Sequence, residues 1–258
     1  MAEKGFFRNN AVPIAFTIIV ILAGTYLLYQ QGYFAKAGMS DSAVFKNMQL
    51  KILIEEDGTP KLFAYVPPGD LMGVAALAGD SAPSLGKMVV GFDEAGMMAK
   101  KFNLTAQDIL WGYDIPDFFG APIKVTGTLK KTGTMLDMVH LLSREDYGIR
   151  GGQTLGIKFT AEGMPKFFYY IQSDGSNWPK KISFAEGSIE GFTPRSISGK
   201  RYVPVVLGSA EAKMMGSESL FKGVGDKIDG FFGKDSYVAG ILEPTNSSLD
   251  MLHYMPRL

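Results

Sequence analysis

The chain has 258 residues, with 26 Lys and Arg balanced by 26 Asp and Glu, so its formal charge at neutral pH is zero; this excludes a nucleic-acid binder working through bulk charge. Apolar residues make up 46% of it, enough for a packed core rather than wholesale disorder. Cysteine is absent and histidine occurs twice, which excludes a disulfide framework, a Cys-ligated zinc or iron–sulfur centre and a thiol nucleophile, and leaves little for histidine-rich metal sites.

The first predicted element is a membrane span. No charged side chain occurs between Arg8 and Lys36, and residues 11–29 (AVPIAFTIIVILAGTYLLY) are almost wholly apolar. As a helix this run would extend roughly 28 Å, close to the hydrocarbon thickness of a bilayer. Pro13 falls in its first turn, and Tyr26, Tyr29 and Tyr33 fall near the far interface. Lys4 and Arg8 precede the span and Lys36 comes after it, so the positive-inside rule places the N-terminus in the cytoplasm and the bulk outside. The rival reading is a signal peptide cleaved at Ala35-Lys36-Ala37, against which the apolar run exceeds the usual core of about 7 to 15 residues. Either way residues 38–258 are expected on the periplasmic or extracellular side of the cell membrane.

Beyond the span the chain carries an internal repeat. ILIEEDGTPKLFAYV (Ile52–Val66) aligns with IKFTAEGMPKFFYYI (Ile157–Ile171) at an offset of 105, pairing Lys61 with Lys166 and Tyr65 with Tyr170. MVVGFDEAGMM (Met88–Met98) aligns with VVLGSAEAKMM (Val205–Met215) at 117, and Asp108 is paired with Asp226 at 118. FFGAPIKVTGTLKKTGTMLDMVHLL (Phe118–Leu142) aligns with FFGKDSYVAGILEPTNSSLDMLHYM (Phe231–Met255) at 113, pairing Gly127 with Gly240, Asp137 with Asp250 and His140 with His253. Four blocks in one order establish a duplication. The expected organisation is a cytoplasmic stub and anchor (1–37), copy one (38–147, the repeat proper from about 48 to 143) and copy two (148–258, from about 155), with REDYGIRGGQT read as a linker. The offsets put extra residues of copy two in Gln172–Arg201 and of copy one around Trp111–Asp117. Trp178 and Trp111 thus sit in or beside the segments that differ, making them candidate contact surfaces unless each merely caps its own core.

Within copy one, Leu50, Ile52 and Ile54 alternate with polar residues as a half-buried strand does, and EEDGTP turns the chain into a second strand, LFAYV. A strand at Met88–Gly91 leads to a helix over Asp93–Phe102, with Asp93 as its cap and Ala95, Met98 and Phe102 on one face. Strands at Pro122–Leu129 and Leu136–Leu142 complete the unit. In copy two the helix is Ala210–Met215 and the strands are Ser236–Leu242 and Leu249–Tyr254. The predicted class is α+β: one N-terminal transmembrane helix, then two mainly antiparallel β-rich copies, each with a short helix.

From Met88 onward the pattern of strand, Gly, short helix, V-x-G-x-L strand, T-G-T-x-x-D turn and closing apolar strand (VVGFDEAGMM, IKVTGTLKKTGTMLDMVHLL) resembles the extracytoplasmic core domain of MacB-like and FtsX-like ABC-transporter permeases. Copy two matches through VVLGSAEAKMM, GVGDKI and YVAGILEPTNSSLD, with Asn246 in place of the turn glycine. The resemblance implies an extracytoplasmic module that contacts partner proteins. Those permeases carry further membrane helices after this domain, whereas here the sequence stops at Leu258, so no translocation path is expected from it alone, and the absence of a GxxxxGK[ST] loop argues against nucleotide binding.

Candidate chemistry is sparse. Asp137 and Asp250 suit tight turns, where a carboxylate accepts backbone N–H groups. Met138-x-His140 and Met251-x-His253 would each present a thioether and an imidazole on one strand face, a soft pair suited to copper, against which a histidine satisfied by a hydrogen bond is the plainer reading. Of Met97-Met98 and Met214-Met215, one of each pair is expected in the core. Asn103 and Asn246 open N-x-[ST] triplets. No catalytic, cofactor or metal residues are assigned. The expected function is a non-catalytic interaction or accessory subunit of a membrane complex, anchored through residues 11–29 beside a protein partner, with no nucleic acid or nucleotide; the alternatives are a ligand or copper carrier and a self-associating envelope protein.

Overall fold

In the computed structural model the described residues are 44–67, 74–104, 112–172 and 174–257. The expected span at 11–29, the Ala35–Ala37 triplet and Trp111 lie outside them. Among the described residues no helix is long and apolar enough to cross a membrane.

Copy one contributes β1 (Gln49–Ile54), β2 (Pro60–Val66), β3 (Ala76–Gly79), β4 (Lys87–Val90), α1 (Phe92–Lys101), β5 (Asp114–Ile115), β6 (Ile123–Leu129) and β7 (Val139–Ser143). Copy two contributes β8 (Gln153–Phe159), β9 (Pro165–Ile171), β10 (Phe184–Gly187), β11 (Arg195–Ile197), β12 (Lys200–Leu207), α2 (Ser209–Ser217), β13 (Lys227–Phe231), β14 (Lys234–Leu242) and β15 (Leu252–Pro256). All of these strands join one sheet, whose main path runs β10-β14-β12-β15-β9-β8-β1-β2-β7-β4-β6-β3. That order is a palindrome: every strand on one side of the β8–β1 joint has its repeat equivalent at the same distance on the other. At the joint the equivalent strands pair antiparallel with Leu50 opposite Leu155, so a local two-fold axis relates the copies. Among the described residues only β11 has no counterpart; it pairs with β12 and accounts for part of the extra length between Gln172 and Arg201.

The α+β assignment is overturned. The described residues are mainly β, a large mixed sheet with the short helices α1 and α2 packed on it. Within each copy the sheet is also less antiparallel than expected, because β2–β7, β4–β6, β9–β15 and β12–β14 are parallel pairs. A hairpin such as β1–β2 is legible from its turn, but parallel neighbours are joined by long crossovers that local periodicity does not reveal.

The closing strands also start later than predicted. Met135–Met138 and Ser248–Met251 are single 3-10 turns, and β7 and β15 begin only at Val139 and Leu252. The cause is the aspartate in each turn. Asp137 accepts the Thr132 N–H and hydroxyl at 2.8 and 2.9 Å and the Gly133 N–H at 2.7 Å, and Asp250 accepts the Thr245 N–H and hydroxyl at 2.9 and 2.8 Å. These bonds fold the chain back before it can extend. Asn246 takes the left-handed conformation (φ 53°) that Gly133 takes in copy one (φ 70°), as Asn can.

Each helix begins one residue after a glycine, not at Asp93. A Cβ on Gly91 would lie 2.2 Å from the Leu136 carbonyl oxygen, and one on Gly208 would lie 2.5 Å from the Asp250 carbonyl oxygen. The helix N-terminus therefore rests directly on the 3-10 turn of its own copy.

Three apolar clusters hold the sheet. One face carries a cluster drawn from both copies, with Leu50, Leu62 and Val139 beside Leu155, Phe167 and Leu252. The opposite faces are separate: α1 packs Ala95, Met98 and Ala99 on Phe63, Val90 and Leu142, and α2 packs Ala212 and Met215 on Phe168, Leu207 and Val238. Met98 and Met215 are core, while Met97 is 39% exposed, as helical spacing requires.

Candidate functional site

The histidines stand at the centre of two equivalent buried ionic clusters. In copy one the Lys61 ammonium lies 2.7 Å from Glu94 Oε1, and His140 Nε2 lies 3.2 Å from the same oxygen. His140 Nδ1 is 3.2 Å from the Leu62 carbonyl oxygen. In copy two Lys166, Glu211 and His253 repeat this at 2.6 and 3.2 Å, with His253 Nδ1 3.3 Å from the Phe167 carbonyl oxygen. All six residues are buried. Each glutamate comes from the first turn of its helix, where the dipole favours a negative charge, and the Lys and His come from the neighbouring parallel strands β2 and β7, or β9 and β15.

Burial alone would push the Glu94 carboxyl up, but the His140 ring and the Lys61 ammonium beside it outweigh that and hold it below the usual carboxylate range. Glu211 is lowered in the same way against the same burial cost, by His253 and Lys166. Aromatic rings close over both clusters: Phe63 and Phe118 sit 5.4 and 5.0 Å from the His140 ring, and Phe168 and Phe231 sit 4.9 and 5.3 Å from the His253 ring. The Lys61–Glu94 and Lys166–Glu211 hydrogen bonds pin each helix to its strands, while His140 Nε2 and His253 Nε2 face the same carboxylates without completing a hydrogen bond.

The expected Met-x-His face does not form, because it requires one strand through both residues. Met138 lies in the 3-10 turn and His140 in β7, with both ring nitrogens directed at Glu94 and the Leu62 carbonyl. Met251 and His253 are divided likewise. Among the described residues no group of three or more His, Asp or Glu is arranged to hold a metal ion. Trp178 caps its own core, stacked 5.7 Å from Phe184 and touching Phe192 and Tyr254. Asn103 and Asn246 are exposed. Glu94 and Glu211 were not singled out from sequence. The signal was present in the repeat, since Lys, Glu, Asp and His each recur at one aligned position inside otherwise apolar blocks.

The repeat also exposes one difference between the copies. In copy one residues 144–151 form a packed strap and not the linker expected from their composition. Tyr147 meets the Tyr65 ring edge-on at 5.0 Å, and the Lys51 ammonium donates to the Tyr147 and Arg150 carbonyls at 2.6 and 3.2 Å. The Arg150 side chain, fully buried, donates from Nε to the Phe118 carbonyl at 3.1 Å and faces Asp146 at 3.7 Å. Composition suggested a linker because its glycines and charges look solvated; the pairing of those charges exists only in the fold. Burial beneath the strap pushes the Tyr65 hydroxyl up to about 12.

Among the described residues the same surface of copy two is open. A cleft of about 760 Å³ is lined by Tyr170 and Phe231, the equivalents of Tyr65 and Phe118, and by Gly156, which stands where Lys51 does. Lys158, Lys234 and Arg257 bring three positive charges to it, and no carboxylate is among its described lining residues. The Lys158 ammonium donates to the Phe232 carbonyl at 3.1 Å and faces the Phe168 and Phe232 rings. It thus caps the aromatic cluster of copy two as Arg150 caps that of copy one.

The chain was compared with protein-family models, curated proteins and solved structures, and none of the three gives a significant match.

Proposed function

We propose that this chain is a non-catalytic interaction subunit, held at a bilayer by its apolar segment 11–29, that uses the duplicated sheet as a frame for docking a protein partner. One observation carries the reading: a surface filled by the chain's own strap in copy one is, among the described residues, an open, polar-rimmed cleft in copy two. Its volume falls within the range of about 300 to 1,000 Å³ usual for ligand sites. The ionisable residues shared by both copies support the same reading, since they are spent on one another in closed clusters. The motif resemblance from Met88 onward directs the search toward permease-type membrane complexes.

The test is purification of the full chain from gently solubilised membranes with a photo-crosslinking residue at Gln172, on the cleft. Recovery of a heterologous chain in fixed stoichiometry, crosslinked at Gln172 and not from a control position on α1, is the expected result. Isolation as a homopolymer, or with bound copper or a small molecule and no second chain, overturns the proposal.

A further inference from the structure

Resting on that reading, we infer that the cleft of copy two takes an acidic peptide segment bearing an aromatic residue, laid over Tyr170 as the strap of copy one is laid over Tyr65. The strap supplies the template for shape. It shows that this surface of the repeat accepts a 3-10 turn of polypeptide, with an aromatic ring against the β2 tyrosine and main-chain carbonyls toward a cation on the adjoining strand. Among the described residues of copy two none stands where Tyr147 does, and Tyr170 is part-exposed over Gly156, near enough that a Cβ there would lie 2.7 Å from it. An aromatic side chain set edge-on against Tyr170 restores the contact made in copy one.

The charge of the occupant is set by the substitutions between the copies. Copy one places Leu53 and Ala121 where copy two has Lys158 and Lys234, while Arg144 and Arg257 are equivalent. The strap brings its own cation, Arg150, to the Phe118 carbonyl. In copy two Lys158 is bonded to the carbonyl of Phe232, the equivalent of Phe119, one residue on. A second arginine entering the cleft would meet like charge, whereas Asp or Glu side chains would meet Lys158, Lys234 and Arg257 with no competing carboxylate in the lining. The occupant therefore keeps the strap's aromatic residue and inverts its cation.

The probe is a fluorescein-labelled peptide of residues 143–151 carrying Arg144→Glu and Arg150→Glu, titrated by anisotropy against the full chain in mild detergent. Saturable binding is expected, weakened at least about tenfold by Lys158→Glu with Lys234→Glu in the protein, by Tyr147→Ala in the peptide, and by raising salt from about 50 to 500 mM. Unchanged circular dichroism and melting of the protein variant separate lost binding from lost folding. No binding at millimolar protein, binding indifferent to the two lysines, equal binding of the unmodified strap peptide, or capture of phosphatidylglycerol vesicles in place of the peptide each overturns the inference. A crosslinked partner at Gln172 together with an inert peptide would leave the interaction reading standing and remove only the acidic-aromatic chemistry.

Discussion

Leu50 and Leu155 lie directly opposite each other across the β1–β8 pair, and they are the same position of the repeat, 105 residues apart. Antiparallel pairing of two equivalent strands through one shared residue is the geometry of an isologous dimer interface, here built within a single chain. The copies are joined a second time through the common apolar cluster, in which Phe45 of copy one meets Phe167 of copy two at 5.1 Å.

This double joining predicts cooperative unfolding of the two copies. Leu50→Ala, at a fully buried position, should cost about 2–4 kcal/mol. Amide exchange should then accelerate in β7 and β15 alike. Acceleration confined to copy one would mean that the copies are independently stable.

The ionic clusters predict a strong penalty for removing one partner. Glu94→Gln leaves Lys61 buried without its counter-charge, and a loss of about 3–5 kcal/mol is expected from urea unfolding, with Glu211→Gln similar. The double change Lys61→Met, Glu94→Leu should recover more than half of the loss, because it removes the buried charge together with its partner. A double variant as unstable as Glu94→Gln would contradict the assignment.

The same clusters set an acid limit. The folded-state pKa values of Glu94 and Glu211 lie below their ordinary value of 4.5, so their contribution is complete above the unfolded pKa and disappears as pH falls through the depressed folded values. Stability should hold down to about pH 5 and decline below it. The Glu94→Gln variant should show a shallower decline over that range; an equal slope would assign the acid sensitivity elsewhere.

At the alkaline end the sign is reversed. Burial pushes the hydroxyls of Tyr65 and Tyr169 up to about 12, and that of Tyr254 well above its ordinary value of 10. Their neutral forms therefore stabilise the fold fully below pH 10, and this is lost as pH rises through the folded values. Difference titration against the corresponding Tyr→Phe variants should show Tyr65, Tyr169 and Tyr254 ionising only together with unfolding, above about pH 11. Smooth titration near pH 10 with the fold intact would refute their burial.

Gly91 and Gly208 supply a steric prediction. Their φ values, −62° and −61°, are open to any residue, so Gly91→Ala tests contact alone. With its Cβ driven against the Leu136 carbonyl, a loss of about 1–3 kcal/mol is expected. Gly96→Ala, in open space on the same helix, should be neutral or stabilising by up to about 1 kcal/mol; equal effects at the two positions would deny that the helix rests on the turn.

Sequence alone determined the duplication, the β1–β2 hairpin, both helices within one or two residues of their ends, and the turn role of Asp137 and Asp250. Each is written in local signals: a recurring block, a turn motif between apolar runs, a 3.6-residue period, a carboxylate beside Thr and Gly. One local alignment failed. By main-chain pairing Asp226 stands where Tyr113 does, since each carbonyl accepts from the equivalent valine, Val238 or Val125. The extra residues of copy one thus precede Tyr113 rather than running to Asp117.

The tertiary structure decided what depends on residues far apart in the chain. It made the sheet mixed and continuous, brought Glu94 between Lys61 and His140, and converted residues 144–151 from an apparent linker into a packed strap that buries Asp146 and Arg150. Parallel pairing through crossovers and the mutual neutralisation of buried charges leave no periodic trace in a sequence, because each partner by itself looks like an ordinary polar residue. The open cleft is of the same kind: two aligned surfaces, Tyr65 with Phe118 and Tyr170 with Phe231, differ in whether the fold lays chain across them.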